Sequence, residues 1–243
     1  MDIRGLGALV TGGSRGLGAA LGHALAEAGA RVVLVARQRG PLDEVVEAIR
    51  RRGGEAHELV ADVGVKEDAH RIAGAAAALV GDIALLVNNA STLGVAPLRP
   101  LMDTDCEAFE AALAVNVVGP LRLTKIIAGA MALHGRGLVV NISSDAAVSA
   151  YAEWGAYGAS KAALDHLGRI WGAELEGTNV RIVTVDPGEM DTRMHADALP
   201  GADPATLLRP SLVARRILSI VRAAGTLPNG ARVEASRFAE AAS

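Results

Sequence analysis

A chain of 243 residues suits one large α/β unit better than a small helical bundle. Apolar residues make up 51% but aromatic ones only 2%, so the core must be aliphatic, built from Ala, Val and Leu. A net charge of -3 without a basic stripe argues against nucleic acid or an anionic membrane surface as a partner, and the single cysteine, Cys106, excludes an internal disulfide or a cysteine metal cluster, so no metal site is expected.

The opening residues carry charges at Asp2 and Arg4 and run directly into an apolar strand and a glycine turn, unlike a secretory leader. The longest apolar tract, 72–90, is interrupted by Gly81 and Asp82 and falls short of a bilayer span. A cytoplasmic location with no membrane partner is the expectation. Short β-branched runs then alternate with amphipathic stretches. They predict strands at 7–10, 31–36, 56–61, 84–87, 138–142, 180–185 and 232–234, and helices at 15–28, 41–52, 66–80, 105–133, 155–176 and 211–223. That alternation reads as repeated βαβ units, hence one α/β domain over 1–243 with a parallel sheet and no linker. The stretch 189–210, with Pro200, Pro204 and Pro210, is too long for a plain connection and reads as a substrate loop or lid.

The first strand ends in Thr11-Gly12-Gly13-Ser14-Arg15-Gly16-Leu17-Gly18 and opens straight into an Ala-rich helix. Glycines there let the backbone turn and approach a pyrophosphate, while the free amides of the helix start attract its charge; a tight strand-to-helix turn is the plainer alternative. The second strand ends at Arg37, where an enzyme selective for NAD(H) would carry an acid for the ribose hydroxyls. Arg15 and Arg37 suit a 2′-phosphate instead, which favours NADP(H) over NAD(H). Asp62 and Val63 after the third strand, and Asn89 and Ala90 after the fourth, fall at the carboxyl edge where open parallel sheets bind ligands. Asp62 suits the adenine amino group, or simply a turn.

Ser143 and Ser144 follow the fifth strand, and Tyr157 and Lys161 lie four apart at the start of the next helix, on one face. With two tyrosines and three lysines in the chain, that spacing arises by chance roughly once in forty. A lysine ammonium roughly 4 to 5 Å from the phenol would favour the phenolate by about 3 to 4 kcal/mol before desolvation opposes it, making Tyr157 a proton donor to a carbonyl or acceptor from an alcohol. Ser144 would steer the reacting oxygen; Ser143, pointing the other way, would not.

Together, TGGSRGLG, the Asp62-Val63 pair, NNA at 88–90, Asn116 in VNVVG, Ser144, YGASK and Asp186-Pro187-Gly188 resemble the short-chain dehydrogenase/reductase family in its single-domain form, over about residues 5–192. The resemblance implies a Rossmann-type doubly wound, seven-stranded parallel sheet in the order 3-2-1-4-5-6-7 with helices on both faces. It implies that Asn116 bends its helix and holds a water linking Lys161 to solvent, that Lys161 also binds the nicotinamide ribose, and that Pro187, Gly188 and Thr192 contact the nicotinamide end. Two departures stand out: Ser91 replaces the usual glycine after NNA, and the usual C-terminal aspartate with a double glycine is missing, which puts a tetramer in doubt. A homodimer through the helices at 105–133 and 155–176 is expected. The function implied is hydride transfer between NADP(H) and a small carbonyl or alcohol substrate. A non-catalytic dinucleotide-binding regulator and a reductase of carrier-tethered 3-oxoacyl groups are the alternatives; the latter calls for an arginine patch that the scattered Arg99, Arg122 and Arg136 do not make. Asp145, Tyr151, Glu153, Trp154, Met190, Met194 and His195 are candidate substrate contacts.

Overall fold

Runs such as Val32-Val33-Leu34-Val35 and Leu85-Leu86-Val87 are apolar on both faces, which only a sheet covered on both sides can bury. The structure, a computed structural model, describes residues 1–238; the last five positions of the unit expected over 1–243 lie outside the described residues. Its strands are β1 (Gly7–Thr11), β2 (Arg31–Ala36), β3 (Glu55–Val60), β4 (Ile83–Asn88), β5 (Gly137–Ile142), β6 (Val180–Asp186) and β7 (Ala231–Glu234). All pair in parallel, in the order β3-β2-β1-β4-β5-β6-β7 that the resemblance implies.

The two-residue period of the strands sorts the core into two layers. Ala8, Val10, Leu34, Leu85, Val87 and Val140 face α1 (Gly16–Glu27), α2 (Arg39–Arg51) and α8 (Pro210–Ala223), whose Leu21, Leu25, Val46, Ile217 and Ile220 are fully buried. Leu9, Val33, Val35, Leu86 and Val139 face α3 (Asp68–Val80) and α5 (Gly119–Leu133), through Ile72, Ala76, Leu123, Ile127 and Met131. On that second side α6 (Gly155–Glu174) lies against β6 so closely that a Cβ at Gly168 would stand 2.5 Å from Thr184 Oγ1. Glycine there lets the helix reach the sheet.

The helix expected over 105–133 is interrupted. α4 (Cys106–Leu113) passes through a π-turn (Ala114–Val118) into α5, and Asn116 sits buried in that turn. The extra residue per turn widens the helix where its side chain must reach sideways. The run Cys106–Leu133 is long and apolar enough to cross a membrane by length and composition; here its apolar side covers β4 and β5. The expected loop at 189–210 is partly ordered: it holds α7 (Arg193–Ala198), a 3₁₀ turn (Pro204–Thr206) and a bridge between Met190 and Leu208.

The packing can be tested at Leu86, which is fully buried in central β4. Leu86→Ala should lower unfolding free energy by about 2–5 kcal/mol in urea melts, while Leu133→Ala, at an exposed position, should change it by less than about 0.5 kcal/mol. Equal effects would contradict this layering.

Candidate active site

The glycine loop is anchored from behind by β4. Thr11 Oγ1 donates to the Val87 carbonyl (3.3 Å) and accepts from the amides of Asn89 and Ala90, both 3.0 Å away, while Asn89 Nδ2 donates to Thr11 O at 2.8 Å. At Gly18 a Cβ would lie 2.1 Å from Gly12 O, so loop and helix close only around a glycine. Arg15 precedes α1 without a side-chain cap, which leaves the first amides of the helix to the adjoining cleft.

That cleft, about 750 Å³, opens over the carboxyl ends of the strands. Gly12, Ser14, Arg15, Gly16, Leu17 and Gly18 line it from the loop, Arg37 from the end of β2, Asp62 and Val63 from β3, Asn89 and Ala90 from β4, Tyr157 and Lys161 from α6, and Pro187 and Thr192 from beyond β6. The sequence-predicted set is thus brought together with one exception among the cofactor residues: Gly188 faces the smaller cavity next door. Its amide donates to Asp186 Oδ1 at 3.0 Å. Asn89 lines the cleft but commits its side chain to holding β1. Asp62 is divided: Oδ1 accepts the Gly64 amide at 2.9 Å, and Oδ2 lies 3.8 Å from the Arg37 guanidinium. A glycine cradle and a bare helix start fit the phosphates of a dinucleotide.

Tyr157 lines both the cleft and the smaller cavity, of about 320 Å³. Its ring meets Trp154 edge-on at 5.7 Å, and Lys161 Nζ stands 5.5 Å from the ring centroid while donating to Ile142 O at 2.8 Å. The phenol is not eased toward ionisation in this arrangement, contrary to the expectation from the spacing. Burial pushes it up to about 12; a hydrogen bond with Ser144 works the other way, and the charges of Asp145 and Asp186 reinforce the rise. Burial likewise brings Lys161 down to about 8, opposed by Asp165. Desolvation is the largest cause for both groups, since both are removed from water together.

Ser143 and Ser144 diverge as the strand alternation requires. Ser143 Oγ donates to buried Asp165, whereas Ser144 Oγ donates to Asp145 Oδ1 (2.9 Å) and accepts the Ala146 amide (3.2 Å). Asn116 lies buried in the π-turn, and its side chain is used to join segments. Its Nδ2 donates to Thr92 O (2.8 Å) and Ser160 Oγ (2.9 Å), and its Oδ1 accepts from Thr92 N (2.9 Å) and Ser91 Oγ (3.2 Å). Two donors and two lone pairs are spent, so the amide fastens α6 to the segment after β4. Ser91, the departure from the usual glycine, makes one of those bonds.

The smaller cavity takes its walls from Asp145, Tyr151, Trp154, Met190, Met194 and His195, as expected, and also from Leu93, Glu189 and Leu199. Glu153 is not among them; with a left-handed φ of 71° it sits at the turn into α6, exposed. Tyr151 donates its hydroxyl to Asp145 Oδ2 at 2.8 Å, and among the described residues no Lys or Arg lines this cavity. One group escaped the sequence: Arg232 on β7 donates from Nε to Asp165 Oδ2 (2.9 Å) and from Nη2 to Asp186 Oδ2 (2.9 Å) and Ser144 O (3.0 Å). Asp165, four residues after Lys161 on the same helix face, was the available signal.

Residues 7–202 match the family described as short chain dehydrogenase, and the chain belongs to that family. A short chain dehydrogenase of Pseudocercospora fijiensis is 36% identical over 197 residues, 80% of this chain and 63% of that one. L-xylulose reductase of Bos taurus is 34% identical over 197 residues, covering 80% of this chain and 76% of that protein. The chain thus spans just under two thirds of the length of the first of these relatives. Among solved structures, a short chain dehydrogenase from Salmonella enterica superposes with a TM-score of 0.88 at 25% identity, over 96% of this chain and 97% of the other. A metagenomic short-chain oxidoreductase in complex with NADP superposes at 0.81 with 31% identity, over 96% and 99%.

The Lys161 burial has a thermodynamic signature. A lysine at about 8 when folded and near 10.5 when unfolded leaves the unfolded chain holding more protons between those values, so stability rises with pH there. Wild type should gain about 2 kcal/mol relative to Lys161→Met between pH 7.5 and 10, read from denaturant melts. Above that range the raised Tyr157 reverses the trend. A flat difference would contradict the burial.

Proposed function

We propose that the chain is an NADP(H)-dependent oxidoreductase that moves a hydride between the dinucleotide and a small carbonyl or secondary alcohol, with Tyr157 as general acid/base. One observation carries the reading: among the residues that line both the dinucleotide-sized cleft and the smaller cavity, Tyr157 is the ionisable one, with Lys161 and Ser144 beside it. When bound, the dinucleotide supplies or takes the hydride and, in its oxidised form, adds positive charge near the phenol. Ser144 hydrogen-bonds the reacting oxygen and directs it to Tyr157, which gives or takes the proton. Lys161 holds the ribose hydroxyls and offsets phenolate charge, and Asn116 keeps α6 at the correct height by its bond to Ser160. The stretch 189–210 acts as the lid, since Glu189, Met190, Met194 and His195 form one wall of the substrate cavity.

Arg15 and Arg37 on the cleft support NADP(H) over NAD(H), and the NADP complex of the 31% identical oxidoreductase agrees with that reading. The substrate is read as small and uncharged or polyhydroxylated. The cavity is about 320 Å³, carries Asp145 and Glu189 and, among the described residues, has no lysine or arginine, an environment that repels anions. Relatives named L-xylulose reductase and D-erythrulose reductase point to the same class of hydroxyketone. One structural neighbour, 29% identical, is named a betaketoacyl-ACP reductase, but the acidic lining of the cavity disfavours a carrier-tethered acyl group, and the intact Tyr157 and Lys161 pair favours an enzyme over a silent regulator. A homodimer through α5 and α6 completes the reading.

Turnover of NADPH with a panel of hydroxyketones tests it. Tyr157→Phe should lower kcat by about 100-fold or more with NADPH affinity little changed. Arg37→Ala should weaken NADPH binding about tenfold or more while leaving NADH binding nearly unaltered. Parent-like turnover by the first variant would overturn the acid/base role; equal losses for both dinucleotides in the second would overturn the phosphate assignment.

A further inference from the structure

Arg232 joins three segments that the chemistry needs in register. Its Nη2 holds the carbonyl of Ser144 after β5 and Asp186 at the end of β6, and its Nε holds Asp165 on α6, one turn beyond Lys161. Each partner is fixed again from its other side: Asp165 accepts the Ser143 hydroxyl, and Asp186 Oδ1 accepts the Gly188 amide at 3.0 Å. One planar guanidinium therefore sets the position of Ser144, the direction in which α6 presents Tyr157 and Lys161, and the Pro187–Gly188 turn between the two cavities. The group is one-fifth exposed and its carboxylate partners less than a tenth, so the pairing is made largely out of water. Although burial opposes it, hydrogen bonding to both aspartates holds Arg232 firmly charged.

We infer that Arg232 is a positioning residue for the reaction, holding Ser144 and α6 in register with Tyr157 and offsetting the two carboxylates packed behind the site. The inference rests on the acid/base role given to Tyr157 above. The charged or titratable groups around Tyr157 are Asp145 on the turn after β5, Lys161 and Asp165 on α6, Asp186 on β6, and Tyr151, Glu189 and His195 on the walls of the smaller cavity. Among these, Asp165 and Asp186 are the pair that Arg232 offsets. Without the guanidinium, two buried carboxylates are left uncompensated behind the site, and one of them, Asp186, already disfavours ionisation of the phenol. The Ser144 carbonyl also loses the donor that fixes its peptide.

Arg232→Met, Arg232→Lys and Tyr157→Phe should be compared as whole proteins for kcat, KM, NADPH affinity and the pH profile of alcohol oxidation. Arg232→Met should lower kcat about tenfold or more and move the alkaline rise of kcat/KM upward by about one pH unit, with NADPH affinity within about threefold of the parent. Arg232→Lys keeps the charge but not the fork; it should restore the pH profile and only part of kcat. If Arg232→Met fails to fold, the lysine variant decides alone: a kcat within about twofold of the parent overturns the positioning role, and a loss of about threefold or more supports it. A folded Arg232→Met protein with reduced melting temperature but parent-like kcat and pH profile would also overturn it. Activity in Tyr157→Phe would instead show that the acid/base reading has failed, whichever way Arg232 behaves.

Discussion

The arrangement turns on an ammonium group kept out of water. Lys161 is 2% exposed, and its Nζ donates to the carbonyl of Ile142, the last residue of β5. A charge in that position is tolerable only if α6 is held against the sheet edge with little freedom, because every ångström of separation would remove the carbonyl and admit solvent unevenly. The small residues in α6 follow from this. Gly168 lets the helix backbone close on Thr184, and Gly172 lets it close on the backbone at Gly230, where a Cβ would stand 2.5 Å from the Gly230 Cα. Asn116 and Arg232 then restrain the same helix from its two sides, one by way of Ser160 and the other by way of Asp165.

The two cavities are consequences of the same geometry. Parallel strands end together at one edge, and the glycine loop leaves a cleft there because its neighbours have no Cβ to fill it. The chain then places its scarce aromatic residues on the other side of Tyr157. Tyr151, Trp154 and Tyr157 form a sequence of edge-to-face contacts at 6.4 and 5.7 Å, giving an otherwise aliphatic protein one stiff wall where a substrate has to be oriented. Opposite them, the segment 189–210 supplies methionines, whose unbranched side chains adapt to different shapes.

Much of this was legible in the sequence because its signals are local. A glycine loop between a strand and a helix, a Tyr and a Lys one turn apart, and apolar runs of alternating length depend on neighbours in the chain, and the strand order follows from the resemblance they support. Three kinds of information were not legible. The Arg232 contacts span 46 to 88 residues and have no periodicity to reveal them. The protonation of Tyr157 and Lys161 depends on burial, which is a property of the assembled layers, so a pairwise argument gave the wrong direction for the phenol. The side-chain partners of Asn116, which are Ser91, Thr92 and Ser160, lie on other segments and leave no local signal in the sequence. Glu153 failed for a local reason: its left-handed backbone turns it out at the start of α6.

The central claim is that Tyr157 is a buried phenol whose proton is held tightly until a dinucleotide lies beside it. The chain has two tyrosines, so in Tyr151→Phe the tyrosinate absorbance reports Tyr157 alone. The account predicts no phenolate signal up to about pH 10.5 in the protein by itself, and its appearance about two pH units lower once NADP⁺ is added. A signal centred near pH 10 that is unmoved by NADP⁺ would contradict it.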